Sequence, residues 1–157
     1  MYSSSGNRVW FRMLSLVIGL LSYGIVWLSA TENAFSAPAP SQQPATAVQV
    51  SLGNETGELV FVPDHLSFEA GQRYELRLSN PSPQKHYFTA KDFADSIWSQ
   101  KVEAGNVEVK GAIHELELKP GATAEWVFIP LKPGTYELHC SIAGHAEAGM
   151  IGELTIQ

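Results

Sequence analysis

The feature that most constrains this chain is how often its apolar runs are interrupted. From about Val48 onward the runs are short, and each meets Gly, Pro or Asn before it can reach helical length. Leu59-Val60-Phe61-Val62 stops at Pro63-Asp64, and Leu66 and Phe68 alternate with polar neighbours before Ala70-Gly71. Tyr74, Leu76 and Leu78 alternate with Glu75, Arg77 and Ser79, as in a half-buried strand, until Asn80-Pro81-Ser82-Pro83 breaks it. His86 to Thr89 reads as another strand. Val107 and Val109 alternate, and Ile113, Leu116 and Leu118 do so less regularly. Ala124, Trp126 and Phe128 mark one face of a strand between the turns Pro120-Gly121 and Pro133-Gly134. Tyr136, Leu138 and Cys140 share a face of the next strand, and Ile151, Leu154 and Ile156 make the last.

Seven or eight short strands, with turn signals about every eight to twelve residues, predict an all-β sandwich. Trp126, Phe68, Phe88 and Phe128 supply much of the apolar area for its core. The one expected helix lies around Lys91 to Lys101, with Phe93, Ile97 and Trp98 facing inward.

Two segments of different character precede the strands. Residues 1–13 carry Arg8 and Arg12 and no acid, and Leu14 to Ala30 is an uncharged apolar run of 17 residues. That order is what a secretory signal shows, and Ala34-Phe35-Ser36 with Ala37 offers small residues for cleavage. The run also reaches the short end of a membrane span. Residues 1–36 are therefore expected to be a signal peptide or an N-terminal membrane anchor through residues 14–30. Either places the rest in a periplasm or another extracytoplasmic compartment, such as a thylakoid lumen. Residues 37–47 are rich in Pro and Ala and read as an extended linker, leaving residues 48–157 as the folded domain.

The formal net charge is −6, and only Arg8, Arg12 and Glu32 precede residue 38, so the remainder is slightly more acidic. No basic run is present, which argues against nucleic-acid binding. An acidic domain attracts a partner with a basic docking patch, an effect on encounter rate.

Chemistry concentrates near the C-terminus. Cys140 is the single cysteine, so no intramolecular disulfide can form, and an unpaired cysteine in an exported chain is a reactive thiol, a ligand or a buried structural residue. Its neighbours favour a ligand. Cys140, His145 and Met150 follow one another at five-residue intervals on one loop between two expected strands. Gly144 and Gly149 let that loop fold back on itself. A thiolate, imidazoles and a long thioether bond suit copper in a trigonal site with a weak axial methionine. Such a site gives neither Cu(I) nor Cu(II) its favoured geometry in full, so little rearranges when an electron moves. The loop supplies one histidine and a second must come from elsewhere. His86 starts a strand after a Pro-rich turn and is the leading choice, with His114 and then His65 behind it. His139 should point to the face opposite Cys140. Zinc could use a Cys-His-His set, but the methionine would then have no role.

The order His86…Cys140-x4-His145-x4-Met150 resembles the blue copper proteins, or cupredoxins, of the plastocyanin, azurin, auracyanin and rusticyanin group. The resemblance covers roughly residues 55–157 and includes Phe61-x-Pro63 with Gly71, the Asn80…His86 step, Pro120-Gly121 and Pro133-Gly134-Thr-Tyr. It implies a cupredoxin-like Greek-key β-sandwich. It also implies one copper ion held in plane by His86, Cys140 and His145, with Met150 axial. Ser141 falls where a polar group often supports the Cys loop. One position departs: the residue after the first histidine, often Asn in the family, is Tyr87.

The expected function is that of an exported one-electron carrier cycling between Cu(I) and Cu(II) and meeting redox partner proteins. The alternative is a periplasmic copper carrier, chaperone or resistance protein that uses the same ligands and meets copper-handling proteins. An enzyme is not expected, because His65, His114 and His139 are too few and too scattered for a second copper site.

Overall fold

The computed structural model describes residues 38–157; the expected signal or anchor, residues 1–36, lies outside them. After a single 3-10 turn at Pro40–Gln42, the chain forms strands β1 (Thr46–Leu52), β2 (Phe61–Val62), β3 (His65–Phe68), β4 (Tyr74–Ser79) and β5 (His86–Thr89). A short helix, α1 (Lys91–Ala94), follows, and then β6 (Ile97–Ala104), β7 (Val107–Val109), β8 (Glu115–Leu118), β9 (Thr123–Pro130), β10 (Gly134–His139) and β11 (Ile151–Ile156). One sheet has the order β2-β1-β4-β9-β6-β7 and the other β3-β11-β10-β5-β8. Strands near in sequence often fall in different sheets, so the two layers are laced together by their connections.

The alternation in the sequence becomes the alternation of faces. In β4, Tyr74, Leu76 and Leu78 are buried while Glu75, Arg77 and Ser79 are at least partly open to solvent. β9 sits between β4 and β6, and most of its length is buried on both faces, as a central strand requires. Between the sheets Phe68, Phe88, Phe93, Trp126 and Phe128 are fully buried. They meet mostly edge to face: the Phe68 and Phe128 rings lie 5.3 Å apart at 78°, and Phe93 and Phe128 5.4 Å apart at 86°. Each such side chain contributes about 1.5–3 kcal/mol by leaving water.

The expected helix is much shorter than the sequence pattern suggested. Only Lys91–Ala94 is helical, and it buries Phe93 and Ala94. Ile97 and Trp98 instead begin β6, which pairs antiparallel with β9 from Ile97↔Pro130 to Glu103↔Glu125, with an irregularity between Ser99 and Lys101. A ladder partner decides between helix and strand where periodicity alone is ambiguous. Ile97 faces the core as expected, whereas Trp98 is exposed.

Two details of topology prepare one end of the sandwich. β10 pairs with β11 along its whole length but with β5 only at His139↔Thr89. Continuing that antiparallel register, the chain after Cys140 leaves the sheet beside Tyr87 and His86. The β4–β5 connection is held by Asn80, which is buried. Its Nδ2 donates to the carbonyls of Gln84 (2.8 Å) and Leu118 (2.7 Å), and its Oδ1 accepts the Ser82 N–H (2.9 Å). The proline-rich stretch that breaks β4 is thus folded into a fixed turn that delivers His86 to the start of β5.

Candidate metal centre

The residues singled out around the cysteine come from two parts of the fold. Cys140, His145 and Met150 lie on the β10–β11 loop, which closes on itself through short-range hydrogen bonds. The Cys140 N–H donates to the Met150 carbonyl (3.1 Å), Met150 N–H to the His145 carbonyl (2.9 Å) and His145 N–H to the Ile142 carbonyl (3.0 Å). Gly144 and Gly149 turn the loop with φ of +84° and +109°, and a Cβ on either would meet nothing. Glycine is needed there for its dihedral freedom and not for space. His86 comes from β5, in the same sheet as β10.

These two sources converge. The Sγ of Cys140 lies 3.5 Å from Nδ1 of His145 and 4.0 Å from Nδ1 of His86. One ligand atom from each of His86, Cys140 and His145 falls within 4.8 Å of the others. Imidazole and thiolate bonds of about 2.0–2.3 Å to a shared ion, opened to a trigonal angle, put neighbouring donors about 3.8 Å apart. The 3.5 Å and 4.0 Å sulfur–nitrogen separations bracket that value, so the three donors are gathered closely enough to share one metal ion. Soft sulfur and two imidazoles make copper the matching metal, and the His86-Cys140-His145-Met150 set could hold one copper ion. Met150 is fully buried, next to both its loop partners through the backbone.

The two histidines stand in different surroundings. Their rings are 5.3 Å apart at 56°. His86 is fully buried, whereas His145 is partly open to solvent. Burial, and then the nearby His145, holds the His86 imidazole below its ordinary protonation range. Its Nε2 is buried with no hydrogen-bond partner among the described residues, so packing holds the ring. Gly53, at the end of β1, makes room for it: a Cβ there would come within 3.0 Å of His86 Nε2 and of Ser82 Cβ.

The other histidines lie apart from this cluster. His65 Nδ1 is 2.9 Å from Asp64 Oδ1 and His114 Nε2 is 2.7 Å from Asp95 Oδ1, both exposed pairs. His139 Nδ1 is 2.8 Å from Glu137 Oε1, on the face of β10 away from Cys140. Tyr87 plays a part its residue type did not announce. Its backbone N–H donates to Cys140 Sγ at 3.4 Å. Its phenol donates to Glu117 and receives Lys85 Nζ at 3.3 Å. Sequence reasoning also missed Gly53, Asn80 as a turn-holder, and Glu115, whose carboxylate accepts the Ser141 hydroxyl at 2.6 Å. The Glu115-Leu-Glu117-Leu alternation signals a polar face on β8 but not which strand it meets.

Comparison with known proteins identifies the family and the fold. The family model described as a cupredoxin-like domain matches residues 19–155. The chain is 27% identical over 112 residues to the plastocyanin major isoform of Arabidopsis thaliana, covering 71% of this chain and 60% of that protein. The chain thus spans about 60% of the length of the first plastocyanins it matches. It is 25% identical to the copper-resistant cuproprotein CopI of Pseudomonas aeruginosa, covering 90% of this chain and 93% of that one. The dithionite-reduced auracyanin of Roseiflexus castenholzii has the same fold, with a TM-score of 0.52 and 20% identity over 73% of this chain and 99% of its own.

Proposed function

The chain belongs to the cupredoxin-like family, and on that premise we propose that it is an exported copper protein that carries single electrons. In this reading residues 1–36 export or anchor the chain, residues 37–47 are a linker whose last two residues, Thr46 and Ala47, already pair in β1, and residues 48–157 form the copper domain. His86, Cys140 and His145 would hold the copper ion, with the Met150 thioether as a weaker fourth donor. Bound copper supplies a one-electron couple between Cu(I) and Cu(II).

The observation that carries the reading is the convergence of three donors under unequal cover. His86, Cys140 and Met150 are buried, so water and small molecules are kept from most of the site. Of the four, His145 alone is partly exposed, so it is the side from which a partner protein would reach the metal. Ile142, Ala143, Ala146 and Ala148, on the same loop, provide small apolar groups around it. The acidic balance speeds encounter with a basic redox partner.

A copper-handling role is the second reading, and one observation favours it: the match to the copper-resistant cuproprotein runs through nearly all of both chains. A redox enzyme is not proposed. Among the described residues, each remaining histidine leans on a carboxylate and none approaches another to make a second copper site.

The test is an optical titration of the purified chain with Cu(II), with Cys140→Ala as control. An electron carrier shows an intense visible thiolate-to-copper band that a reductant bleaches and an oxidant restores, absent in the control. Irreversible conversion to a colourless Cu(I) form, or ready loss of copper to a metal-free acceptor protein, would favour copper handling instead.

A further inference from the structure

Glu115 is outside the ligand set, yet its carboxylate joins two strands, β8 and β5, to the residue after the thiol. It lies on β8, an edge strand, opposite Thr89 of β5. Its Oε2 accepts the Thr89 hydroxyl at 2.9 Å and the Ser141 hydroxyl at 2.6 Å. The second distance is in the range of a charge-assisted O–H···O⁻ bond. Ser141 is exposed and follows Cys140 where β10 has already stopped pairing with β5. The side-chain tie therefore begins where the backbone ladder ends. Tyr87, though nearer in sequence to His86, does not make this tie, because its phenol is engaged with Glu117 and Lys85.

We propose that Glu115 is a positioning residue for the Cys140 sulfur. By holding Ser141 against β5 and β8, it keeps Sγ within reach of the Tyr87 N–H, 3.4 Å away and the only backbone N–H that meets this sulfur among the described residues. Hydrogen bonds onto a ligating sulfur withdraw electron density from it, and outer partners of this kind orient ligands and tune the metal. The effect on the metal rests on the copper reading above; the tie itself does not.

The test compares the chain with Glu115→Ala, Ser141→Ala and the double variant, adding Glu115→Gln and Thr89→Val. In copper-loaded protein, Ser141→Ala shifts the thiolate-to-copper band and the midpoint potential. The same substitution shifts neither in the Glu115→Ala background, because the two residues act as one unit. Glu115→Gln, which keeps an acceptor oxygen but loses the charge, retains the response to Ser141→Ala. Equal Ser141→Ala shifts in both backgrounds, no shift in the wild type, or a Thr89→Val shift as large as that of Ser141→Ala would overturn the proposal. In metal-free protein, amide hydrogen exchange at Tyr87 and Cys140 should rise roughly three- to tenfold in Glu115→Ala and in Ser141→Ala. Exchange at Leu76 on β4 stays unchanged. Unaltered exchange at Tyr87 and Cys140 sinks the tie whatever the metal does. A wild type with no thiolate-to-copper band sinks the copper reading, and exchange still decides the tie.

Discussion

His86 and His145 bring the same chemical group to one point, but the fold holds them in opposite ways. His145 belongs to a loop whose backbone-to-backbone hydrogen bonds link residues no more than ten apart, from Cys140 to Met150. His86 is held by contacts that are distant in sequence: Gly53 just past β1, the Asn80 turn, and Leu118 on β8 beyond it. The loop side is open and locally determined, while the β5 side is closed and determined by packing. A substitution on the open side should therefore be repairable from solvent, and one on the closed side should not.

Removing either imidazole tests this most strongly. His86→Gly and His145→Gly should each lower copper affinity by more than about 100-fold, beyond the loss typical of an outer partner. Added free imidazole should restore the visible band in His145→Gly, where solvent reaches the gap, and fail to do so in His86→Gly. Equal rescue of both would erase the distinction.

Asn80→Ala comes next. It leaves the buried Leu118 carbonyl and the Ser82 N–H without their partner and should cost about 2–3 kcal/mol of stability in a denaturant melt. His86 would lose its fixed approach, so copper affinity should fall with stability. A stable Asn80→Ala protein with weakened copper binding would place the residue's role in the site alone.

Two glycine substitutions set the halves side by side. Gly149→Ala adds a Cβ to open space at φ +109°, so only backbone strain opposes it, about 1–2 kcal/mol. Gly53→Ala adds strain at φ +75° and also crowds His86 Nε2 and Ser82 at 3.0 Å. It should cost about 1–3 kcal/mol more and weaken copper binding in addition. Equal costs would mean that His86 has room to move.

The smallest effect is that of acid on the metal-free protein. His86 in the fold resists protonation, whereas in the unfolded chain it takes a proton near the ordinary value of 6.5. The unfolded state then binds more protons, so its share of stability is complete above that pH and declines as pH falls below it. Denaturation midpoints compared above and below pH 6.5 should show the decline, and His86→Phe should reduce it.

The loop chemistry was legible because it is written at short range. Five-residue spacing with two glycines brings Cys140, His145 and Met150 together by local turns, and local turns are what a sequence displays most directly. His86 was the leading choice for the second imidazole, but bringing it beside Cys140 depends on which strand lies next to β10, and a sequence pattern does not state strand pairing. For the same reason residues 97–101 read as helix: only the ladder offered by β9 makes Ile97–Ala104 a strand. Tyr87 stood out as a departure because the family often has Asn there. Its useful group is the backbone N–H, which every residue but proline carries and no residue type announces.

The sequence alone thus determined the sandwich, the loop and the donor chemistry, through alternation, turn residues and spacing, all of which act between near neighbours. The tertiary structure decided which histidine lies beside Cys140 and His145, which N–H meets the sulfur, and how Glu115 reaches Ser141. Those contacts join β1, β5, β8 and the β10–β11 loop, and their geometry exists only once both sheets have paired and closed over a common core.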